Sequence, residues 1–348
     1  MDHLLDICGL RIETRRGGGK AMLLDKVDLS VKKGQSFGIV GESGCGKSIT
    51  ANALMQLLPY PLRVSDGTAR YQSLNGEKEL LSLPAEEIRG LRGREIAMIF
   101  QEPMTSLDPI FTVEYQMFEA LSFHNKRIGK REMHERALEM LRSVKIPRPE
   151  QTLRSYPHLI SGGQLQRVMI AMAMLNNPRL LIADEPTTAL DVTIQAQILE
   201  LMNGLKAANG TSIIMITHDL GVIAETCEEV AVFYAGQVVE QAPAAELFHN
   251  TAHPYTEGLL RAVTSLDGDR ADMGRSTSQS EAEAPHQNEL YTIPGMVPPG
   301  GEWSSGCRFR DRCDRAAPRC AEALPALCEI APGHLCRCFR TGEEVEAR

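Results

Sequence analysis

Short apolar runs alternate with longer, helix-like stretches along most of the chain. Residues 3–40 alternate apolar and polar positions in bursts split by Arg15 to Gly19, which predicts antiparallel strands joined by a turn. Apolar runs of strand length then lie at 36–40, 180–183, 212–216 and 230–233. Because helical stretches separate these runs, the pattern predicts parallel strands with crossover helices, an α/β core.

A more polar, helical segment interrupts the strands from about 103 to 160. Residues 130–144 have helical periodicity, and one face of that helix would carry Met133, Ala137, Met140, Leu141 and Val144. The pattern predicts a helical insertion within a main domain of residues 1–266. The polar composition of residues 267–292 predicts a linker, and a Cys/Pro-rich region occupies residues 293–348.

Composition narrows the class of protein. The 348 residues carry 37 Lys and Arg against 45 Asp and Glu, a net charge of −8, so no global basic field favours nucleic acid. A hydrophobic content of 43% is ordinary for a globular protein. No apolar run approaches the roughly 18 residues that a spanning helix needs, and the acidic N-terminus lacks the features of a secretory signal. We therefore expect a cytosolic chain whose membrane role, if any, is peripheral.

A phosphate-binding loop follows the apolar run 36–40. The loop, from Gly41 to Ser48, matches Gly-x-x-x-x-Gly-Lys-Ser, and a helix is predicted from Ile49 to Leu58. Backbone N–H groups of such a loop converge on phosphate oxygens, Lys47 reaches the β- and γ-phosphates, and Ser48 coordinates Mg²⁺. The alternative, a glycine-rich turn with an exposed lysine, does not explain the order of strand, loop and helix. The candidate nucleotide-binding residues are Gly41, Glu42, Ser43, Gly44, Cys45, Gly46, Lys47 and Ser48.

Two adjacent carboxylates end the apolar run 180–183. Acids at the carboxyl end of a buried strand lie where α/β sheets bind ligands. Asp184 fits an Mg²⁺ ligand, and Glu185 fits the carboxylate that orients and polarises the attacking water. The alternative is that the two acids only begin a helix that has Pro186 at its first position. That alternative does not explain why the same chain also carries a phosphate-binding loop.

Further motifs identify the subclass of phosphate-binding ATPase. Ile160 to Gln164 reads Ile-Ser-Gly-Gly-Gln and resembles the Leu-Ser-Gly-Gly-Gln signature of the ATP-binding-cassette (ABC) ATPases, apart from its first position. Gln101 follows the predicted strand 96–100, as the Q-loop glutamine of that family does. Residues 189–191 resemble the D-loop, and His218 stands at the position of the switch histidine.

The resemblance implies a fold and a mechanism. The fold is a P-loop, RecA-like core with an antiparallel β subdomain, the helical insertion and a Cys-rich C-terminal tail. Two cassettes stack head to tail around ATP and Mg²⁺, so hydrolysis needs a dimer. By resemblance, His218 would contact the γ-phosphate, and Gln101 would contact Mg²⁺ and the attacking water. Asp191 would carry contacts between the two sites. The residues that would contact the other chain's nucleotide are Ser161, Gly162, Gly163 and Gln164.

Longer stretches resemble the ATPase subunits of oligopeptide, dipeptide and nickel importers. In that branch two related ATPases pair beneath two membrane-spanning permeases, fed by a substrate-binding protein. The resemblance implies peptide uptake, with nickel or another small solute as the alternative, from the cytoplasmic face of the inner membrane. The matching stretches are Gln101–Pro109, Tyr156–His158, Ala183–Asp191, His253–Thr256, Ile293–Pro298 and Gly306–Cys313.

Six of the nine cysteines lie in the last 42 residues, a clustering that indicates metal or cluster ligation in a reducing compartment. The spacing resembles the iron–sulfur tail of these importers, which implies a [4Fe–4S] cluster on Cys307, Cys313, Cys320 and, by alignment, Cys338. Cys328 and Cys336 stand outside the family pattern and compete for the fourth position. The alternatives are Zn²⁺ in a four-cysteine shell and buried free thiols. We interpret Cys8, Cys45 and Cys227 as small packing residues.

Three questions stay open at this stage. The family commonly stacks adenine on an aromatic residue, but Leu10 to Thr14 contains none, so guanidinium packing by Arg15 or Arg16 is the candidate substitute. A soluble ABC ATPase acting on ribosomes or nucleic acid is the rival function, although the chain shows no tandem cassette, coiled coil or basic face. The cysteine tail is alternatively a redox or iron sensor that gates the cassette.

Overall fold

The computed structural model describes residues 3–16, 19–102, 106–188, 191–262 and 291–341. Its strands are β1 (His3–Arg16), β2 (Gly19–Lys32), β3 (Ser36–Val40), β4 (Leu62–Ser73), β5 (Gly76–Glu79), β6 (Ile96–Ile99), β7 (Leu180–Asp184), β8 (Ser212–Ile216), β9 (Glu229–Tyr234), β10 (Gln237–Pro243), β11 (Cys328–Ala331) and β12 (His334–Cys336). Its α-helices are α1 (Lys47–Leu54), α2 (Ala85–Leu91), α3 (Val113–His124), α4 (Lys130–Ser143), α5 (Pro149–Arg154), α6 (Gly162–Met174), α7 (Val192–Asn209), α8 (Leu220–Thr226), α9 (Ala244–His249), α10 (254–262) and α11 (Arg319–Glu322).

The first sheet is antiparallel and has the order β2-β1-β4-β5. Strands β1 and β2 pair from His3 with Lys32 to Arg16 with Gly19, as the alternating pattern of residues 3–40 predicts. One face of the sheet is buried, and its apolar side chains, including Leu10, Ile12 and Leu24, pack in a core shared with β3 and α1. Burial of alternate positions explains the strand periodicity of this segment.

The second sheet has the order β11-β12-β10-β9-β3-β8-β7-β6. Strands β9, β3, β8, β7 and β6 are parallel neighbours. Every residue of β3, β7 and β8 is buried, which explains why these segments are predominantly apolar instead of alternating. The carboxyl ends of β3, β6, β7 and β8 meet at one edge of the sheet, and the motif residues lie at that edge.

Helices α3 to α6 lie between β6 and β7 in the chain. Helix α4 buries Met133, Ala137 and Leu141, which belong to the apolar face that the sequence predicts. These side chains contribute to a core cluster that also contains residues of the parallel strands, such as Leu181 and Ile213. The helical segment is therefore packed onto the same core as the main sheet.

Helix α1 ends at Leu54, although its composition predicts a helix to Leu58. Gln56 has a φ of 49°, a left-handed conformation that stops the helix. Its side-chain amide donates to the carbonyls of Leu80 and Leu83 at 2.7 and 3.0 Å, and Arg92 donates to the Met55 carbonyl at 2.9 and 2.6 Å. Tertiary hydrogen bonds to distant residues end this helix, so local composition does not reveal the end.

The C-terminal region packs against the main domain and extends its sheet. Strand β12 pairs with β10, where Glu240 lies opposite Cys336. His334 Nε2 lies 2.9 Å from Glu240 Oε1, and both side chains are fully buried. Gly236, with a φ of 75°, leaves room for the Trp303 ring, because a Cβ there would lie 2.5 Å from it. No helix in the described part of the chain is long and apolar enough to cross a membrane.

Candidate functional site

The loop from Gly41 to Ser48 joins β3 to α1 and approaches neighbouring backbone closely. Gly41 has a φ of 147°, and a Cβ at this position would lie 2.3 Å from the Phe233 carbonyl oxygen, so only glycine fits. The Lys47 side chain is buried, and its Nζ donates to the carbonyls of Gly41 at 2.7 Å and Glu42 at 3.0 Å. The ammonium group therefore lies inside the curve of the loop, where phosphate oxygens would bind.

Ser48 and Asp184 meet across the sheet edge. Ser48 Oγ donates to Asp184 Oδ1 at 3.0 Å, and Asp184 is the last residue of β7. Burial raises the pKa of Asp184, the Ser48 hydrogen bond lowers it, and the nearby charge of Glu185 raises it again, with a net increase. A hydroxyl and a carboxylate oxygen are ligands that Mg²⁺ prefers.

Glu185 is the centre of a second hydrogen-bonded group. Its carboxylate accepts from Gln101 Nε2 at 3.0 Å and from Thr188 Oγ1 at 2.8 Å, and it lies 3.4 Å from His218 Nδ1. The Glu185 N–H donates to the carbonyl of Ile216 at 2.8 Å, and the residue has a φ of 48°. A left-handed conformation at a non-glycine residue costs about 1–3 kcal/mol, so the surrounding hydrogen bonds must hold Glu185 in place.

The surroundings keep the Glu185 carboxylate ionised. Burial raises its pKa, but hydrogen bonds from Thr188 and His218, together with the charges of His218 and Lys47, outweigh that effect and leave the pKa below its ordinary value. At neutral pH the group is therefore an acceptor, able to orient a water molecule. The two neighbouring acids therefore have opposite pKa shifts, since the pKa of Asp184 is raised while that of Glu185 is lowered.

The signature segment lies apart from this hydrogen-bonded group. Ser161 and Gly162 are exposed at the beginning of α6, while Gly163 and Gln164 are half-buried. Asp191 caps α7, where its side chain accepts from the Ile194 N–H at 2.9 Å. No hydrogen bond within the described ranges joins residues 161–164 to the phosphate-binding loop. The remaining D-loop residues, 189 and 190, lie outside the described residues.

Three contributors to this site were given no role by sequence reasoning. Thr188 donates to Glu185, Tyr255 Oη accepts from the Glu42 N–H at 2.9 Å, and Arg312 forms an ion pair with the Glu42 carboxylate. All three lie inside stretches that resemble the importer branch. The resemblance marks these stretches as features of the importer branch, but it does not indicate which atoms the three side chains contact.

The first strand lacks the aromatic residue on which the family commonly stacks adenine. No side chain in the described part of the chain is established as its replacement. Arg15 is exposed, and the side chain of Arg16 lies outside the described residues. Glu13 is buried and pairs with Arg63. Guanidinium packing on adenine therefore stays a prediction.

Four cysteines of the tail line one cavity. Its volume is about 20 Å³, and Cys307, Cys313, Cys320 and Cys338 all contribute to its wall. The Cys307 N–H also donates to the carbonyl of Cys320 at 2.8 Å, which joins two of the segments that carry them. Cys328 and Cys336 lie opposite each other on β11 and β12 instead. The four cysteines that line the cavity are the four implied by the family resemblance.

The four thiols do not form a finished coordination shell. Over the described ranges, no group of three or more His, Cys, Asp or Glu side chains is arranged to hold a metal ion. Burial raises the pKa of the Cys307 thiol to about 11, and the neighbouring Cys320, Cys338 and Cys313 raise it as well. Metal binding would therefore release protons from these thiols. The predicted iron–sulfur cluster thus has a suitable donor set, but the arrangement itself does not demonstrate a metal site.

Comparisons with known proteins identify the family of the chain. Residues 24–188 match the ABC transporter family, and residues 239–286 and 277–320 match the oligopeptide/dipeptide transporter C-terminal region. The chain is 47% identical over 344 residues to a probable peptide ABC transporter ATP-binding protein of Sinorhizobium fredii (strain NBRC 101917 / NGR234), covering 99% of this chain and 97% of that protein. It is 45% identical over 344 residues to the oligopeptide transport ATP-binding protein OppD of Escherichia coli (strain K12), covering 99% and 95%.

A solved structure has the same fold. The dimeric, post-hydrolysis ATP-binding cassette MJ0796 bound to ADP and Pi is 28% identical, has a TM-score of 0.61, and covers 69% of this chain and 98% of its own. The cassette fold with its mixed sheets and helices is therefore confirmed. High identity over nearly the whole length of the curated relatives confirms the family prediction as well. The chain belongs to the ATP-hydrolysing, ATP-binding subunits of ABC transporters, in the oligopeptide/dipeptide transporter family.

Proposed function

We propose that this chain binds and hydrolyses Mg-ATP to drive the uptake of di- and oligopeptides across the inner membrane. The observation that carries the proposal is the hydrogen-bonded group at the sheet edge, in which Ser48 contacts Asp184 while Glu185 contacts Gln101 and His218. These contacts support the assignment of Ser48 and Asp184 as Mg²⁺ donors beside Glu185, a carboxylate that can act on water. Phosphoryl transfer requires mainly such positioning and charge neutralisation.

The loop residues bind the nucleotide. Backbone N–H groups of residues 41–48 surround the phosphates, and Lys47 leaves its carbonyl acceptors in the loop for the β- and γ-phosphates. Ser48, Asp184 and Gln101 would supply oxygen ligands to Mg²⁺, and the bound ion would neutralise negative charge that develops on the phosphates during transfer.

Glu185 acts on the attacking water. Its lowered pKa keeps the carboxylate ionised, so it orients the water and accepts a proton as the water attacks the γ-phosphate. Gln101 positions the same water, and His218 contacts the γ-phosphate. Thr188 keeps the carboxylate in place through its hydrogen bond of 2.8 Å.

A second cassette completes the site. Ser161 and Gly162 are exposed at the N-terminus of α6, so they are available to a partner's γ-phosphate. Gly163 and Gln164 complete the signature surface, and Asp191 carries contacts between the two sites. The related cassette MJ0796 is described as dimeric. Following the importer branch, we propose a paralogous ATPase as the partner, with a second copy of this chain as the alternative.

Peptides are the proposed cargo because the curated relatives are named for peptide or oligopeptide transport. Nickel or another small solute is the alternative within the same family. The substrate-binding protein and the permeases would select the cargo, since an ATPase subunit need not touch it. No observation in the described residues favours the rival function on ribosomes or nucleic acid.

An exposed apolar surface after Gln101 is the proposed contact with the permeases. Tyr115 and Phe123 are half-exposed on α3, and the ring of Phe111 stacks on that of Tyr115 at 4.4 Å. A groove of about 910 Å³ runs beside these residues, lined by parts of α3 and α4. Exposed apolar patches of this kind mark protein interaction sites. Such contact would hold the chain peripherally at the cytoplasmic face of the membrane.

The tail cavity is the proposed [4Fe–4S] site, with Zn²⁺ as the alternative. Cys307, Cys313, Cys320 and Cys338 supply thiolate ligands, the donors that both centres accept. Because these cysteines come from separate segments of the tail, a centre bound to all four would cross-link it. The proposed organisation is a nucleotide-binding domain at 1–266 with an insertion at about 103–160, a linker at 267–292 and a cysteine region at 293–348.

Affinity capture tests the proposed assembly. Tagged Glu185→Gln protein with Mg-ATP should retain two multi-span permeases and a sister ATPase from detergent-solubilised membranes of the source organism. The substitution slows hydrolysis and therefore preserves the ATP-bound, closed dimer. Mass spectrometry identifies the retained chains.

The matched control is Lys47→Ala in the same background, which removes the phosphate-binding ammonium group. With this variant, adding ATP should no longer increase the amount of sister ATPase that is retained. Recovery of ribosomes or nucleic acid without any membrane protein would overturn the importer proposal.

A further inference from the structure

The C-terminal tail reaches the phosphate-binding loop through one ion pair. Arg312 Nη1 lies 2.6 Å from Glu42 Oε2, and Arg312 Nη2 lies 2.9 Å from Glu42 Oε1. The Arg312 side chain is 5% exposed and that of Glu42 is 32% exposed. Two parallel N–H···O bonds fix direction as well as distance, which a single contact does not.

The tail holds the Arg312 guanidinium in place. Its Nε donates to the Pro294 carbonyl at 2.8 Å, and Nη2 also reaches the Ile293 carbonyl at 3.4 Å. The rings of Tyr234 and Phe309 lie 5.7 and 6.0 Å from its central carbon. The charge presented to Glu42 is therefore fixed before any nucleotide binds.

Glu42 is also tied to the residue that would bind phosphate. Its N–H donates to Tyr255 Oη at 2.9 Å, and its carbonyl accepts from Lys47 Nζ at 3.0 Å. A shift of the Glu42 backbone would move an acceptor of Lys47. Before Lys47 turns to the phosphates of ATP, the contacts thus run from the tail through Arg312 and Glu42 to the lysine of the loop.

We propose that Arg312 is a positioning residue of the nucleotide site, which neutralises the Glu42 carboxylate and fixes the beginning of the phosphate-binding loop. The C-terminal region thereby forms part of the machinery that binds ATP. This inference rests on the proposed assignment of the loop from Gly41 to Ser48 to ATP.

Charge explains why such a residue is needed. The phosphates of ATP are strongly negative, and Glu42 adds a negative charge within the loop that binds them. Coulomb repulsion between them weakens binding unless a cation compensates the carboxylate. Arg312 supplies that cation from a buried position, where solvent screens it less than it would screen a surface lysine.

A double-mutant cycle on the full-length chain tests the inference, with binding of a fluorescent ATP analogue and Mg²⁺ as the readout. Arg312→Met should weaken binding about tenfold, equivalent to ~1.4 kcal/mol. Glu42→Gln should change binding by less than about threefold, because it removes the charge that needs compensation. The double variant should recover most of the lost affinity, a coupling that independent sites do not show.

The steady-state parameters provide a second readout. Arg312→Met should raise KM more than it lowers kcat, since it leaves Glu185 and its contacts unchanged. Arg310→Met is the matched control, because Arg310 belongs to the same turn but its Nε donates to Asp311 at 2.9 Å. If Arg312→Met does not fold, Arg312→Lys replaces it, and the expected loss is smaller but still relieved by Glu42→Gln.

Unchanged nucleotide affinity in the folded Arg312 variant would overturn the inference. So would a double variant that binds as weakly as Arg312→Met alone, because Arg312 would then act only by docking the tail. Failure of the wild-type chain to bind the nucleotide would instead refute the proposed function. The two failures are therefore distinguishable.

Discussion

Glu185→Gln is expected to lower the kcat of ATP hydrolysis by at least about a hundredfold, the scale on which a positioned proton acceptor contributes. The amide keeps the shape of the side chain but cannot accept a proton from water. ATP binding should persist, because Lys47 and Ser48 are unchanged. Thr188 and His218 should still contact the side chain, so the geometry of the site is preserved.

The measurement compares steady-state hydrolysis and nucleotide affinity in the assembled transporter. Glu200→Gln is the control for the same chemical change, since Glu200 is exposed on α7 and pairs only weakly with Lys145 at 3.7 Å. It should keep wild-type kcat. Equal hydrolysis by assemblies carrying Glu185→Gln and wild type would contradict the role assigned to Glu185.

Under the proposed [4Fe–4S] assignment, replacing one cavity-lining cysteine is expected to remove most of the iron that co-purifies with the chain. Cys307→Ser, Cys313→Ser, Cys320→Ser or Cys338→Ser each leaves three thiolates around the cavity, and a cluster held by four thiolates loses a covalent link to the protein. Metal affinity also contributes to folding of the segment that it cross-links, so the variants should unfold at lower temperature. Anaerobic purification followed by iron, labile sulfide and zinc analysis measures the effect.

The cysteines of the β11–β12 hairpin supply the controls. Cys328 and Cys336 pair across these strands and do not line the cavity, so Cys328→Ser and Cys336→Ser should keep the wild-type iron content. Zinc without labile sulfide would select the four-cysteine Zn²⁺ site instead. An anaerobically prepared wild-type chain with neither metal would refute both sites.

The nucleotide site is predictable from sequence because its residues follow buried strands closely. Gly41, Gln101 and His218 come within two residues after β3, β6 and β8, and Asp184 is the last residue of β7. Parallel strands bring these ends to one edge, so reading the strands is enough to group the motifs. The predicted contacts of the D-loop and of the signature segment with a partner cassette rest on the family resemblance alone.

Contacts made by the tail are not predictable in the same way. Arg312 and Glu42 are 270 positions apart in the sequence, and no periodicity relates them. The same holds for the pairing of β12 with β10 and for the end of α1, where Arg92 and the Leu80 carbonyl stop the helix at Leu54. Such contacts depend on three-dimensional packing, which local pattern does not encode.

Uptake of a radiolabelled oligopeptide tests the central claim most directly. Cells of the source organism that lack this gene receive either the wild-type chain or Glu185→Gln, with nickel uptake followed in parallel. The account predicts that only the wild-type chain restores peptide uptake, because transport requires hydrolysis at Glu185. Equal restoration by both chains, or peptide uptake that does not depend on the gene, would contradict it.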